Sequence, residues 1–265
     1  MNTRVMRACC RASFAGLLFA AWFPVHAATF PRPAANSTVD VAVAADFIDT
    51  LKALGTAYAR ADGGHLVISA ASTGTLYTEI RDGAPYDVML SADAATPRLL
   101  VKQGLAVAAS RFTYARGRLV LWSRSPRRVD SKGRVLRTGK FRHLAIANPQ
   151  FAPYGQAARA VLRNLGLWHS LHPRIVYGED VGQTFQFAAS GNAGLAFVAL
   201  AQIRDPAFRV NGSYWIVPQK LYAPIEQQAV LLSRARNDAG ALFFLKFLHS
   251  AQARAIIRRH GYGVD

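Results

Sequence analysis

Short apolar runs alternate with segments of helical periodicity along most of this chain. Residues 39–44 and 66–70 are apolar runs rich in β-branched residues, and each leads through a short polar turn into a helix-period segment. The first segment carries apolar residues at helical spacing: Phe47, Leu51, Leu54 and Tyr58. The second begins near Thr75. The pattern predicts a strand, a tight turn and a helix, twice in succession.

The same alternation continues to the end of the chain. Further strands are predicted at 88–91, 118–123, 144–147, 175–177, 195–200 and 225–232. Further helices are predicted over 99–104, 157–165, from 183 toward Gly191, and over 239–249 and 251–260, the last two with Asp238 and Ser250 as N-caps. Alternating strands and helices predict an α/β fold with layers around parallel sheets, and the length predicts two lobes.

Residues 1–27 have the pattern of a cleaved secretory signal peptide. Three arginines precede an apolar core at 14–23, and Val25-His26-Ala27 forms a small-residue cleavage pattern. The apolar core is too short to span a bilayer. Both cysteines, Cys9 and Cys10, lie in this leader, so we expect no disulfide and no thiolate metal site in the exported protein. The Pro/Ala/Ser-rich segment 28–38 is predicted to be a disordered spacer.

The charge of the chain is strongly positive, +17, and falls only to +14 without the three arginines of the leader. Residues 111–142 hold eleven basic residues and one acid, Asp130. Because an exported chain does not meet nucleic acid, we do not expect a nucleic-acid partner. Two interpretations stay open for the basic segment: a solvated face, or long-range attraction of anions toward a cleft.

Six segments together resemble the molybdate-binding periplasmic proteins of ABC transporters. They are AVAADF (42–47), ASTGTLYTEIRDGAPYDVMLSAD (71–93), LAIANPQFAPYGQAARAVLRNLGLW (144–168), GEDVGQTFQF (178–187), GLAFVALAQI (194–203) and FFLKFLHSAQARAIIRRHGY (243–262). The resemblance implies the class II periplasmic binding fold, with two α/β lobes joined by two strand crossovers. The first lobe would comprise 39–117 plus 222–265, and the second 118–221. It also implies an anion held in the cleft, hinge closure, a monomer and a membrane permease as partner.

The resemblance also implies which residues contact the oxyanion. They are Ala45 and Asp46 in the first turn, Ser72 and Thr73 in the second, Tyr154 in the APYG turn and Val181, through its N–H, in the EDV turn. Another branch of the family places its tyrosine on a later strand, where this chain has Ala199, so Tyr154 would serve instead. A dry tetrahedral dianion requires fixed, neutral donors on all sides, and each charge-assisted hydrogen bond contributes roughly 1.5–3 kcal/mol.

Asp46 is the position where this chain departs from the family, which usually has serine or asparagine there. An ionised aspartate cannot donate a hydrogen bond. Two unit charges about 4 Å apart repel by roughly 4 kcal/mol at an effective dielectric near 20, and a dianion doubles this repulsion. Four arrangements stay open: a neutral, donating Asp46; an Asp46 that accepts a proton from a protonated ligand; a side chain turned away; or a carboxylate that caps its own helix at 47–49.

The leading hypothesis is a periplasmic binding protein that captures molybdate or tungstate and delivers it to an ABC transporter, with no cofactor. One alternative is a binding protein for phosphate, sulfate or a small carboxylate, and another is a sensor module that has lost transport. An enzyme is not expected, because the chain has no Gly-x-Ser-x-Gly elbow, His-Glu-x-x-His motif, phosphate-loop lysine motif or cysteine nucleophile.

Overall fold

Within residues 37–62, 64–205, 208 and 212–264, which the computed structural model describes, ten strands form two five-stranded sheets. The strands are β1 (Thr38–Ala44), β2 (His65–Ala71), β3 (Val88–Ser91), β4 (Phe112–Gly117), β5 (Leu119–Ser123), β6 (Leu144–Ala147), β7 (Ile175–Gly178), β8 (Leu195–Ala199), β9 (Ser213–Ile216) and β10 (Ile225–Leu231). The first sheet has the order β2-β1-β3-β10-β4, and the second has the order β7-β6-β8-β5-β9.

Both sheets are mixed, so the expectation of parallel sheets is wrong in part. β1 runs parallel to β2 and β3, whereas β10 runs antiparallel to β3 and β4. β6 runs parallel to β7 and β8, whereas β5 runs antiparallel to β8 and β9. Parallel neighbours require a long crossover connection, usually a helix. β5 and β10 instead arrive directly from the other sheet, so this constraint does not apply to them.

Helices follow most of the strands. They are α1 (Ile48–Asp62), α2 (Thr73–Arg81), α3 (Ala95–Lys102), α4 (Val135–Thr138), α5 (Pro153–Asn164), α6 (Trp168–Leu171), α7 (Val181–Ser190), α8 (Leu200–Arg204), α9 (Ala239–Leu248) and α10 (Ala251–Arg259). A 3-10 turn, Ala45–Phe47, joins β1 to α1. The two predicted N-caps are confirmed: Asp238 accepts the Ala241 N–H at 2.7 Å, and Ser250 accepts the Ala253 N–H at 3.1 Å. Among the described helices, none has the length and apolarity to span a bilayer.

Each sheet has a hydrophobic core of its own. The main core of the first sheet includes Phe47, whose ring packs edge-on against Tyr114 and Tyr262 at centroid distances of 4.8 and 5.1 Å. The core of the second sheet includes Trp122, which packs against Phe185 at 5.3 Å. Two sheets with separate cores give the two-lobed α/β fold that the sequence predicted.

The chain passes between the sheets at two connections, from β4 to β5 and from β9 to β10. The proposed lobe boundaries, at 117/118 and 221/222, fall in these connections and stay a prediction. The predicted leader, 1–27, lies outside the described residues, as does the spacer up to residue 36. β1 begins at Thr38, so the last residue of the predicted spacer belongs to a strand and not to a disordered segment.

Candidate functional site

All six residues expected at the binding site line one small cavity between the two lobes. The first lobe contributes Ala45, Asp46, Ser72 and Thr73, and the second contributes Tyr154 and Val181. The other lining residues are Ala44, Ala71, Ala92, Ala152, Pro153 and Asp180. The cavity volume is about 10 Å³, which is room for about one water molecule. A tetrahedral oxyanion of five atoms therefore enters only when the lobes part or the wall side chains shift.

Three helices begin at the wall of this cavity. α2 begins at Thr73, α5 at Pro153 and α7 at Val181, and these three residues all line the cavity. The first N–H groups of a helix have no intrahelical partner, and the helix dipole places partial positive charge at the same end. The convergence of three N-termini from two lobes favours a bound anion.

The N-terminus of α2 is partly satisfied by the protein itself. The Ser72 Oγ accepts the Thr75 N–H at 3.2 Å and lies 2.8 Å from the Thr75 Oγ1. The Gly74 N–H donates to the Phe151 carbonyl at 2.8 Å, which joins the first lobe to the second. Among the described residues, the Thr73 N–H has no acceptor. This N–H group is therefore free to bind a ligand.

The N-terminus of α7 has the same organisation. The Asp180 side chain accepts the Gln183 N–H at 2.8 Å, and the Asp180 carbonyl accepts the Thr184 N–H at 3.1 Å. The Gln202 amide donates to the Val181 carbonyl at 3.0 Å, which fixes the first turn of the helix. Within the described part of the chain, the Val181 N–H has no acceptor. Thr73 and Val181 thus present free N–H groups from opposite lobes.

Two hydroxyl groups line the cavity, and each accepts a hydrogen bond from the protein. The Thr73 Oγ1 accepts the Ala92 N–H at 3.1 Å. The Tyr154 hydroxyl accepts from the Gln227 amide in a long bond of 3.5 Å. Gly117 makes room for this hydroxyl, since a Cβ at that position would lie 2.2 Å from it. The Thr73 hydroxyl proton is therefore free for a ligand, whereas the Tyr154 hydroxyl also lies beside the Asp46 carboxyl and lowers the pKa of that group.

The Asp46 side chain is held at one oxygen and unpartnered at the other. Its Oδ2 accepts a hydrogen bond from the Gln227 amide. The Tyr262 hydroxyl has one proton, which it shares between the Asp46 carbonyl at 2.7 Å and the Asp46 Oδ2 at 2.9 Å. The Oδ1 is buried and has no hydrogen-bond partner among the described residues. Neither oxygen accepts an N–H of residues 47–49, so the self-capping arrangement is not the one observed.

Burial governs the protonation of the groups around Asp46. Desolvation raises the pKa of Asp46 to about 6, against the opposing effect of hydrogen bonds from Gln227, Tyr262 and Tyr154. Desolvation, followed by the charge of Asp46, raises the pKa of Tyr114, Tyr154 and Tyr262 well above the usual value for a phenol. The three hydroxyls therefore stay protonated and act as neutral groups around the carboxyl.

Among the residues that the structure describes, no positive side chain lines the cavity, whose wall includes the carboxyl groups of Asp46 and Asp180. Basic residues of the segment 111–142 instead line a separate groove of about 480 Å³ in the second lobe; they are Arg127, Arg128, Arg134 and Lys140. None of these four residues lines the small cavity. The two interpretations of the segment, a solvated face and long-range attraction of anions, therefore both stay open.

Sequence reasoning did not find the residues that hold the Asp46 carboxyl. Gln227 lies on β10 and Tyr262 follows α10, and both are buried. Gln227 had a weak signal, because it is a polar residue within the predicted strand 225–232, and a buried amide requires partners. The tyrosine had no such signal.

Comparisons with known proteins agree with this geometry. A family model described as "Bacterial extracellular solute-binding protein" matches residues 39–263. The chain is 46% identical over 230 residues to the molybdate-binding protein ModA of Rhodobacter capsulatus, covering 87% of this chain and 90% of that protein. It is 44% identical over 227 residues to ModA of Azotobacter vinelandii, with 86% and 90% covered.

Among solved structures, the periplasmic molybdate-binding protein of Azotobacter vinelandii superposes with a TM-score of 0.83 at 45% identity, covering 86% of this chain and 99% of that one. The likeness thus extends over both lobes and both crossovers. From the family match and these relatives, we conclude that this chain belongs to the bacterial extracellular solute-binding proteins.

Proposed function

We propose that this protein captures molybdate, or tungstate of nearly the same size and charge, and delivers it to the permease of an ABC transporter. The observation that carries the proposal is that six residues expected to contact an oxyanion line one buried cavity between the lobes. The relatives with 44–46% identity are molybdate-binding proteins by name. They give no support to the alternatives of another anion or of a sensor without transport.

The donors of the cavity suit a dehydrated dianion. The Thr73 and Val181 N–H groups and the Thr73 and Tyr154 hydroxyls are neutral, and they come from both lobes. Each charge-assisted hydrogen bond contributes roughly 1.5–3 kcal/mol net. Four to six such bonds would support binding in the micromolar range or tighter after the ordering costs of closure. Selectivity among oxyanions would follow from the size of the closed cavity.

We further propose that the protein is exported and that it acts by closure of its two lobes. Residues 1–27 direct export to the periplasm, where the protein works as a monomer. Closure of the lobes over the anion creates the surface that the permease recognises. The role is binding and release, and the cavity residues serve as hydrogen-bond donors rather than as catalysts.

The test is titration calorimetry on protein that is exported from the full chain and purified from the periplasm. Molybdate, tungstate, sulfate and phosphate are titrated separately. Removal of the Tyr154 hydroxyl in Tyr154→Phe is expected to weaken molybdate binding by about tenfold to a hundredfold. The matched control is Tyr177→Phe, which removes a hydroxyl from an exposed tyrosine of the same lobe.

Tight binding of molybdate and tungstate without a response to sulfate is the expected result. Preferential binding of phosphate or sulfate would contradict the proposed ligand. An equal loss of affinity in Tyr154→Phe and Tyr177→Phe would show that the cavity is not the binding site.

A further inference from the structure

The two oxygens of the Asp46 carboxyl have different surroundings. The side chain is only 4% exposed, and it lines the cavity. Its Oδ2 accepts from the Gln227 amide and shares the single Tyr262 hydroxyl proton with the Asp46 carbonyl. Its Oδ1 is buried without a partner among the described residues. An unpartnered polar atom in such a position is unfavourable unless a ligand satisfies it.

The position of a proton on this carboxyl follows from these contacts. Because Oδ2 accepts the Gln227 N–H and part of the Tyr262 O–H, it has the role of the carbonyl oxygen of a neutral carboxylic acid. A proton on Asp46 therefore resides on Oδ1, where it has no acceptor within the described part of the protein. An anion oxygen in the cavity would supply that acceptor.

Within the described part of the chain, the groups that face Asp46 offer no positive charge to balance a carboxylate beside an anion. Tyr114 on β4, Gln227 on β10, Tyr262 after α10 and Tyr154 at the start of α5 are all neutral. On the opposite side of the cavity the titratable group is Asp180, a second carboxyl. An ionised Asp46 would therefore repel a bound dianion without compensation.

We infer that Asp46 binds the oxyanion as the neutral acid and donates its Oδ1 proton to an oxygen of the anion. This inference rests on the proposed function. Asp46 is then a specificity-determining residue: the site takes up one proton with each fully deprotonated dianion. The affinity for the dianion therefore falls as the pH rises, because the proton that binding requires is taken from a solution of lower proton concentration.

The pKa of Asp46 in the ligand-free protein is compatible with uptake of a proton on binding. Burial already raises the pKa of Asp46 to about 6, and the charge of a bound dianion raises the pKa further. Between these two pKa values one proton is taken up on binding, so the dissociation constant rises by up to about tenfold per pH unit.

The experiment is calorimetric titration of molybdate into the exported protein between about pH 6.5 and pH 8.5. At each pH, buffers with different ionisation enthalpies report the number of protons taken up. The wild type is compared with Asp46→Asn, whose amide donates a hydrogen bond without a proton from solution. The matched control is Asp49→Asn, the same change three residues later at an exposed carboxylate paired with Lys52.

The expected result is uptake of close to one proton by the wild type and by Asp49→Asn, with weaker binding at higher pH. Asp46→Asn is expected to take up none and to bind with a dissociation constant that changes less than about twofold over the range. Molybdate binding by the wild type without proton uptake would overturn the inference and leave the proposed function intact. Binding by Asp46→Asn alone would overturn it as well, since Asp46 would then block the site as a carboxylate. Failure of all three proteins to bind molybdate would overturn the proposed function itself.

Discussion

Replacing Asp46 with asparagine is expected to stabilise the ligand-free protein at alkaline pH. The pKa of this carboxyl is raised from 3.8 to about 6 by burial, so the folded state holds the proton more tightly than the unfolded state. The stabilisation by the neutral form is therefore fully present below about pH 3.8 and is lost as the pH rises through about 6. Above that range the folded protein carries a buried carboxylate.

The magnitude follows from the size of the shift. About two pKa units correspond to about 3 kcal/mol of lost stability above both pKa values, of which about half has developed at pH 5. The asparagine oxygen keeps the two hydrogen bonds from Gln227 and Tyr262. The burial of its amide changes stability by an amount that is independent of pH. The stabilisation by Asp46→Asn should therefore grow by about 1–2 kcal/mol between pH 5 and pH 8.

Urea unfolding of the ligand-free wild type and variant at both pH values measures this difference. The matched control is Asp130→Asn, at an exposed carboxyl whose pKa is lowered, mainly by the Arg134 backbone N–H. That variant is expected to gain no stability at pH 8. Equal stabilisation by Asp46→Asn at both pH values, or greater stabilisation at pH 5, would show that burial does not raise the pKa of this carboxyl.

Two glycines give further predictions. Gly74→Ala would place a Cβ 3.0 Å from the Phe151 backbone, so it should hinder lobe closure and weaken molybdate binding by about tenfold. The control is Gly55→Ala in α1, whose Cβ would meet only ordinary contacts. This control should leave the affinity for molybdate unchanged and raise the unfolding free energy by about 0.5–1 kcal/mol. Gly117→Ala would displace the Tyr154 hydroxyl, and calorimetry should show a loss of affinity at least as large as that of Tyr154→Phe.

Buried strands and capped helices were predictable because each is specified by local sequence. The runs 88–91 and 144–147 are β3 and β6 with the same bounds, since strands buried on both faces are continuous apolar runs between turn signals. Asp238 and Ser250 mark the starts of the last two helices, because a capping side chain lies next to the N–H groups that it satisfies.

Two strands, β4 and β9, were not predicted. Each is an edge strand of its sheet, with a neighbouring strand on one side, and β4 makes an isolated bridge from Arg116 to Gly263 on the other. Their residues include Arg116 and Tyr214, which are exposed. Edge strands tolerate polar residues that interrupt the apolar pattern. The antiparallel direction of β10 was also missed, because strand direction depends on where the chain returns from the second sheet and not on the residues of the strand.

The six residues at one cavity were predicted from the family resemblance. The contacts of the Asp46 carboxyl could be known only from the structure. Its two hydrogen-bond donors lie 181 and 216 residues away along the chain. No local pattern relates residues at such separations. The state of the carboxyl depends on burial, which in turn depends on how the lobes and the C-terminal residues pack around it.

A crystal structure of the exported protein grown with molybdate shows whether the small cavity between the lobes is the binding site. Anomalous scattering at the molybdenum edge locates the metal atom without reference to the protein coordinates. One strong peak is expected in the cavity, with anion oxygens in hydrogen-bond contact with the Thr73 and Val181 N–H groups, the Tyr154 hydroxyl and the Asp46 Oδ1. A peak at the basic groove of the second lobe, or none in the cavity, would mean that the cavity is not where molybdate binds.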